Sequence, residues 1–204
     1  RKKIAINAIT LLSKADKAFF PLSPNNKFDK VAFLGIGIHK ENAFARRMKT
    51  AFNAGVFLTD FNSKNIDSLK SIADSIANNF SRIVIGIHQI NRAPANNFGI
   101  SPTALQFIRA IQSRTKSMVF LFGNAYAAKN WCDAANNLVV CYEDDSIVQH
   151  VAIDMLEGII PFKGVLPVSV CDQYKFGYGI CNNLTGIPFA NQKEKSILKQ
   201  TAIE

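Results

Sequence analysis

The side chains best placed for chemistry in this sequence are histidines and amides that follow runs of apolar residues. His39 and His88 each come shortly after such a run, where a side chain can reach a ligand crevice. His150 lies between Val148 and Val151 in a helical pattern, so we expect it to be structural. No further ligand is spaced to complete a metal site around these histidines, and we expect neither a metal nor a cofactor.

The longest loop between predicted core elements covers residues 88–101 and is polar without containing an acid. It holds His88, Arg92 and three asparagines, but no aspartate or glutamate. Such a loop can hydrogen-bond hydroxyl or acetamido groups but cannot supply a carboxylate acid or base. With Asn124, which follows a later apolar run, His88 and Arg92 are our candidates for lining a substrate cleft. The alternative is a polar cover over the sheet edge, and no residue is predicted to be catalytic.

Two short motifs indicate other chemistries. Gly35-Ile36-Gly37 followed by Asp60 forms the skeleton of a dinucleotide site, but Lys40 stands where a third glycine would let the helix pack closely. Two Ser-x-x-Lys matches, at Ser113 and Ser196, lack the motifs that accompany this pattern in serine β-lactamases. A nucleotide-binding module therefore stays an alternative, whereas β-lactamase chemistry is rejected.

Five short apolar runs are expected to position these residues, and the loops after them are poor in catalytic carboxylates. The runs cover residues 31–36, 56–59, 83–87, 118–122 and 138–142. Runs that do not alternate with polar residues are typical of strands buried on both faces of a parallel sheet. Residues 164–168 contain a proline and are predicted as an edge strand. The pattern predicts an α/β fold, a three-layer α/β/α sandwich with a mostly parallel sheet of five to six strands, flavodoxin-like.

Helical spacing and capping residues define the connections between these strands. An amphipathic helix is predicted over residues 4–14, before the sheet. Crossover helices are predicted over residues 41–53 and 65–80, and from an N-cap at Ser101 followed by Pro102. A shorter helix over residues 126–135 and a longer one over residues 146–158 complete the pattern. Asp144 or Asp145 caps the last helix, and Gly158 suits its end.

Charge and hydropathy argue against two classes of partner. The net charge is +9, but the basic residues are not interleaved with aromatic ones and no nucleic-acid-binding signature is present. We therefore expect no nucleic-acid partner. No apolar run approaches the roughly 20 residues that cross a bilayer, so no membrane span is expected.

The four cysteines show neither zinc-finger nor C-x-x-C spacing. Cys141 lies in a predicted strand and is expected to pack as a small hydrophobic residue. Cys171 and Cys181 flank a loop rich in glycine and tyrosine, and would be able to pair if the protein is exported. The redox compartment is left open by this spacing.

Several segments, taken in order, resemble the second domain of glycoside hydrolase family 3 enzymes. Each matches a short motif of that domain at the corresponding point in the chain. They are residues 8–14 with Phe20-Pro21-Leu22, residues 30–35 (KVAFLG), residues 83–86, residues 119–126 with Ala125 in place of a proline, Tyr142-Glu143-Asp144 with Gln149, and Gly158 with residues 164–168. The resemblance covers roughly residues 3–179.

This resemblance implies that residues 1–180 are the C-terminal α/β domain of such an enzyme and residues 181–204 a linker or tail. The family's first domain is a (β/α)8 barrel that carries the aspartate nucleophile, and that barrel is absent from this chain. Arg1 leads directly into a helical pattern, so we expect a fragment of a longer protein. The resemblance implies the barrel and a carbohydrate substrate as partners, and it favours a periplasmic or extracellular location.

The absence of an acid from residues 88–101 helps to distinguish which branch of the family the chain resembles. In the β-glucosidase branch, a glutamate in the loop after this domain's third strand is the acid/base. In the β-N-acetylhexosaminidase branch, a His–Asp pair on the barrel does that work, so the resemblance favours this branch. It implies retaining hydrolysis by the parent protein and an accessory domain that is inactive alone. The alternatives are a free-standing nucleotide- or sugar-binding module, or an interaction domain.

Overall fold

A six-stranded sheet forms the centre of the computed structural model, which describes residues 1–14, 19–22, 29–63, 66–133 and 137–182. The strands are β1 (Thr10–Ser13), β2 (Val31–Ile36), β3 (Gly55–Thr59), β4 (Arg82–Ile87), β5 (Lys116–Leu121) and β6 (Asn137–Val140). The five predicted runs correspond to β2 through β6, and each observed bound lies within two residues of the predicted one. All five predicted strands are therefore confirmed.

The order of the strands is that of a doubly wound sheet. The sheet runs β1-β6-β5-β4-β2-β3, with β2 through β6 parallel and β1 antiparallel to β6 at one edge. Counted along the chain, the parallel strands are arranged 2-1-3-4-5, the order of flavodoxin-like folds. The predicted three-layer, flavodoxin-like sandwich is confirmed. Its topological switch point lies between β2 and β4, where ligands of such folds commonly bind.

Helices cover both faces of the sheet and separate two hydrophobic cores. The helices are α1 (Lys2–Ala8), α2 (Ala43–Phe52), α3 (Ile66–Asn79), α4 (Pro102–Gln112) and α5 (Ser146–Leu156), with 3-10 segments at Ala95–Gly99 and Ala125–Trp131. α1, α2 and α5 pack on one face, and α3, α4 and the second 3-10 segment pack on the other. The predicted caps are present, since Ser101 and Asp145 accept from the N–H groups of Ala104 and Val148. Gly158 adopts φ +74 just beyond α5.

The prediction of one helix over residues 4–14 is wrong beyond residue 8. α1 ends at Ala8, Ile9 leaves the helical region with φ −54 and ψ 122, and the chain continues as β1. β1 pairs with β6, with Thr10 opposite Val140 and Leu11 opposite Val139. The apolar residues that suggested one helical stripe are buried by strand pairing instead, because β6 offers a free edge for hydrogen bonding.

The predicted edge strand over residues 164–168 is also wrong. β1 occupies the sheet edge beside β6. Residues 164–168 instead pack against residues 177–178. Leu166 N–H donates to Tyr178 O, and Leu166 O accepts from Gly177 N–H, each at 2.8 Å. Gly164 passes so close to the end of α1 that a Cβ there would lie 2.2 Å from Ala8 O. The glycine is therefore required by a close backbone approach.

The disulfide differs from the pairing considered for Cys171 and Cys181. Cys171 pairs with Cys132, and their Cα atoms lie 6.6 Å apart. Cys181 is free and exposed, because the chain after Tyr178 turns towards β1, where Ile180 donates to Leu11 O. Cys141 is free and buried, as predicted for a residue that packs as a small hydrophobic side chain.

Candidate functional site

A cavity of about 520 Å³ opens at the carboxyl ends of β4, β5 and β6. The three loops that follow these strands form its wall. The lining residues are Gln89, Ile90, Arg92, Phe122, Gly123, Asn124, Tyr142, Glu143, Asp144 and Asp145. Cavities at the carboxyl end of a parallel sheet are the usual ligand sites of this architecture, and the volume suits a small ligand. We call it the acidic cavity, after its three carboxylates.

The acids of this cavity come from the loop after β6. Glu143, Asp144 and Asp145 follow one another directly and place three carboxylates in a loop that the sequence predicts to be poor in catalytic ones. The signal was present in the sequence as a run of three acids at the end of an apolar run. Residues 88–101 do lack acids, as the sequence showed.

His88 lies beneath the floor of the cavity rather than on its wall. Its side chain is 0% exposed and stacks on the ring of Phe122, with centroids 4.4 Å apart. Nδ1 donates to Asp144 Oδ1 at 2.9 Å, and the amide nitrogen of Asn42 lies 3.3 Å from the ring nitrogens. The ring folds back over its own strand and lies above Gly86. A Cβ at Gly86 would lie 2.5 Å from His88 Nε2, so only glycine leaves room for the ring. His88 therefore fills the switch point between β2 and β4.

The Asp144 carboxylate accepts hydrogen bonds from several elements of the fold. Besides His88, its carboxylate accepts from Gln89 N–H at 2.9 Å and from Gln149 Nε2 at 2.8 Å. Gln149 in turn accepts from Phe44 N–H, which links α5 to the start of α2. Burial acts to raise the pKa of Asp144, but the bonds from His88, Gln89 and Gln149 outweigh it and hold that pKa below its ordinary value.

Arg92 and Asn124, the other predicted cleft residues, both line the cavity. Asn124 Oδ1 accepts from Tyr126 N–H, and its Nδ2 donates to Arg92 O, each at 3.0 Å. Asn124 thus fixes the loop after β5 to the loop after β4. The Arg92 side chain is exposed at the rim. The structure brings these two residues together and places the third, His88, behind Phe122.

Backbone strain is concentrated around this end of the sheet. Within the described part of the chain, the left-handed residues other than glycine and asparagine are Gln89, Phe98 and Tyr142, with φ of 51, 61 and 66. Gln89 and Tyr142 line the acidic cavity, and Phe98 lines a second cavity beside it. Such conformations cost of order 1–3 kcal/mol each and cluster at functional sites. The hydrogen bonds of Gln89 N–H to Asp144 and of Tyr142 OH with Thr10 Oγ1, at 2.7 Å, help to hold two of them.

The dinucleotide skeleton does not form a phosphate site. At the start of α2, Phe44 N–H donates to Gln149, while Ala45 and Arg46 N–H donate to Asn42. These are groups that would bind a phosphate at a helix N-terminus. A Cβ at Gly37 would lie 2.3 Å from His88 O, so protein already occupies the space above this turn.

The remaining histidines are exposed and lie apart from the cavity lining. His39 follows β2 and His150 lies on α5. No group of three or more His, Cys, Asp or Glu side chains that would hold a metal occurs among the residues that the structure describes.

Known structures share this fold. A fungal multidomain GH3 β-N-acetylglucosaminidase matches with a TM-score of 0.63 at 18% identity over 84% of this chain. The GH3 β-N-acetylglucosaminidase of Paenibacillus sp. str. FPU-7 matches with 0.64 at 15% identity over 83%. A β-glucosidase from Erythrobacter marinus matches with 0.67 at 9% identity over 88%. No family model matches the sequence, and no curated protein matches it.

These likenesses define the chain as an α/β domain with the fold of a region found in glycoside hydrolase family 3 enzymes. The expected resemblance is thereby confirmed at the level of the fold. The chain covers only 19%, 32% and 34% of the three solved chains, so it corresponds to one part of larger proteins. Both glucosaminidases and a glucosidase match, and the fold does not separate the two activities. None of the helices in the described ranges has the length and apolar character to cross a membrane.

Proposed function

We propose that this chain is the accessory second domain of a retaining family 3 glycoside hydrolase of the β-N-acetylhexosaminidase-like branch. It packs on a (β/α)8 barrel that carries the nucleophile and the acid/base, and its acidic cavity forms part of the substrate cleft. Arg92 and Asn124 line that cleft, and His88 positions Asp144 beneath it. The support is the shared fold, the ordered sequence motifs and the partial coverage of the matching enzymes.

The observation that carries the proposal is that two of the three acids in the cavity are already hydrogen-bonded within the domain. Asp144 is held by three groups, and Asp145 caps α5 through Val148 N–H at 2.9 Å. Glu143 is the exposed member of the three and has no second unengaged acid beside it in the cavity lining. Glycoside hydrolysis with retention requires two carboxyl groups, or equivalent groups, on opposite sides of the scissile bond. This arrangement supports an accessory role, with the chemistry on another domain.

Hydrolysis of two chromogenic substrates tests the proposal. The 204-residue chain and the full-length protein that contains it are assayed with the p-nitrophenyl β-glycosides of N-acetylglucosamine and of glucose. We expect activity only in the full-length protein, and on the N-acetyl substrate. Activity of the chain alone would overturn the accessory role, and preference for the glucoside would overturn the choice of branch.

A single substitution in the full-length protein sharpens this result. Glu143→Gln removes the exposed acid while keeping its shape, and we expect kcat to change by less than about threefold. A general acid supplies about 10²–10⁴-fold in rate, so a fall in that range would make Glu143 the acid/base and contradict the proposal. Glu41→Gln, in a surface pair with Lys49 and outside the cavity lining, is the matched control.

A further inference from the structure

A second cavity, of about 450 Å³, adjoins the acidic cavity. Asn124 lines both, so the two form one continuous surface across the loops after β4 and β5. The wall of the second cavity is mostly apolar. Its lining residues are Pro94, Phe98, Asn124, Tyr126, Lys129 and Val170. We call it the Tyr126 cavity.

Tyr126 is exposed where its neighbours in the 3-10 segment are buried. Its side chain is 47% exposed, while Ala125, Ala127 and Ala128 are buried against the sheet. The backbone of Tyr126 is fixed by the hydrogen bond of its N–H to Asn124 Oδ1. An aromatic ring is therefore presented to solvent at the side of a cavity, from a segment whose other apolar residues are buried.

Lys129 and Phe98 complete the wall. Lys129 is three residues after Tyr126, and in a 3-10 segment this spacing places both on the same side. Its Nζ lies over the ring of Phe98, 5.5 Å from the centroid. Phe98 adopts φ +61, and its ring is buried while it lines the cavity. The cavity thus combines a flat apolar surface with a hydrogen-bond donor at its rim.

A ligand that matches this surface has an apolar face and polar edges. A pyranose ring has both, since its axial C–H groups form a flat apolar face and its hydroxyls project from the edge. We propose that the Tyr126 cavity is a second sugar subsite, in which Tyr126 stacks on a pyranose ring and Lys129 donates to its hydroxyls. The substrate is then an oligosaccharide that extends from the acidic cavity past Asn124. The proposal rests on the proposed function for the choice of sugar.

Saccharide binding by the 204-residue chain tests this subsite directly. Amide NMR shifts are followed while the chain is titrated with N,N′,N″-triacetylchitotriose or with cellotriose, to about 10 mM, a range that detects weak binding. We expect shifts at Phe98, Tyr126 and Lys129. Tyr126→Ala is expected to weaken binding about three- to tenfold, the usual value of one aromatic contact, and Tyr126→Phe to leave it unchanged.

Phe176→Ala is the matched control, because Phe176 is 73% exposed and lines neither cavity. It is expected to bind as the unsubstituted chain does. Absence of saccharide binding, equal binding by the folded Tyr126→Ala variant, or binding of adenosine monophosphate in place of the saccharides would each overturn the subsite.

Kinetics of the full-length protein on a trisaccharide and on a monosaccharide substrate distinguish the subsite from the proposed function. There, Tyr126→Ala is expected to raise KM for the trisaccharide about three- to tenfold and to leave the p-nitrophenyl monosaccharide unaffected. An equal effect on both substrates would overturn an extended subsite. If the full-length protein hydrolyses no glycoside while the chain binds the trisaccharide through Tyr126, the proposed function fails and the subsite stands.

Discussion

At the scale of single residues, the polar cluster around Asp144 is the feature that shapes the candidate site. His88, Gln89 and Gln149 all donate to one carboxylate, and His88 is fully buried between Phe122 and Asn42. Buried polar groups stabilise a fold only when each is hydrogen-bonded, and here the ring and the carboxylate satisfy one another. The cluster therefore positions the loop after β6, and with it the wall of the acidic cavity.

The lowered pKa of Asp144 predicts how stability depends on pH. A carboxylate with a lower pKa in the folded state stabilises above its ordinary pKa, and this contribution is lost as the pH falls through the folded value. We expect Asp144→Asn to reduce the free energy of unfolding by about 1–3 kcal/mol near neutral pH, because bonds to a charged group are lost. The difference between the variant and the unsubstituted chain should shrink below about pH 4. Urea unfolding from about pH 7 to about pH 3 measures it.

Asp172→Asn is the control for this prediction. Asp172 is fully exposed and pairs with Lys175 at 2.6 Å, a surface pair that solvent screens. The variant should unfold as the unsubstituted chain does at each pH. A constant difference for Asp144→Asn across the whole pH range would show that the lost contribution does not depend on the charge of Asp144.

The sequence predicts where the candidate site lies but not the direction in which each side chain points. Placing His88, Arg92 and Asn124 at one edge required only the rule that carboxyl ends of parallel strands lie together, and all three are there. Whether a side chain then points outwards depends on local space. Gly86 leaves room for the ring of His88 to fold inwards, and Asp144, distant in sequence, offers it a partner. Neither condition is visible in the residues next to His88.

At the scale of elements, the central strands were predictable, whereas β1 and the packing of residues 164–182 were not. β2 and β4 through β6 are read from local composition, because they are buried on both faces, whereas β3, at the sheet edge, is only half-buried and is read from its apolar residues alone. β1 was mistaken for helix because Leu11 and Leu12 fit a helical stripe as well as a strand. The competing factor is the unpaired edge of β6, which is a tertiary feature. The pairing of Cys132 with Cys171 is likewise set by how the last segment packs on the Ala125–Trp131 segment.

The disulfide predicts a specific loss of stability. Cys132 and Cys171 are 39 residues apart, and closing a loop of this length stabilises a fold by about 4 kcal/mol in the chain-entropy description. We expect the Cys132→Ala/Cys171→Ala variant to lower the free energy of unfolding by about 2–4 kcal/mol, measured by urea unfolding without reductant. The same decrease should appear when the unsubstituted chain is reduced.

Cys181→Ala is the matched control, because Cys181 is free and exposed. It should unfold at the same urea concentration as the unsubstituted chain, with or without reductant. Four reactive thiols in the unreduced, unfolded chain would contradict the pairing. Disulfides persist in oxidising compartments, so confirmation would also support the periplasmic or extracellular location that the family resemblance favours.

At the scale of the whole molecule, residues 164–182 close the structure around the start of the chain. Leu166 and Tyr174 are buried in the core beneath α3, α4 and the Ala125–Trp131 segment. Ile180 N–H donates to Leu11 O, and Asn182 accepts from Phe162 N–H at 2.6 Å. The first contact joins residues 164–182 to β1, and the second joins them to the segment after α5. Packed structure therefore extends to residue 182, while most of the predicted linker or tail lies outside the described residues and the boundary at residue 180 stays a prediction.

Two truncations test this boundary. A chain that ends at residue 182 keeps every contact described above, so we expect its unfolding temperature to stay within about 2 °C of that of the full 204 residues. A chain that ends at residue 163 loses Leu166, Tyr174 and the disulfide partner of Cys132. It should unfold more than about 10 °C lower, or without cooperativity, because a change of 1 kcal/mol shifts a domain of this size by about 2–4 °C. Calorimetry measures the unfolding temperature of each of the three chains.

Equal stability of the two truncated chains would contradict a closing role for residues 164–182. Failure of the chain ending at residue 182 to fold would move the domain boundary beyond that residue.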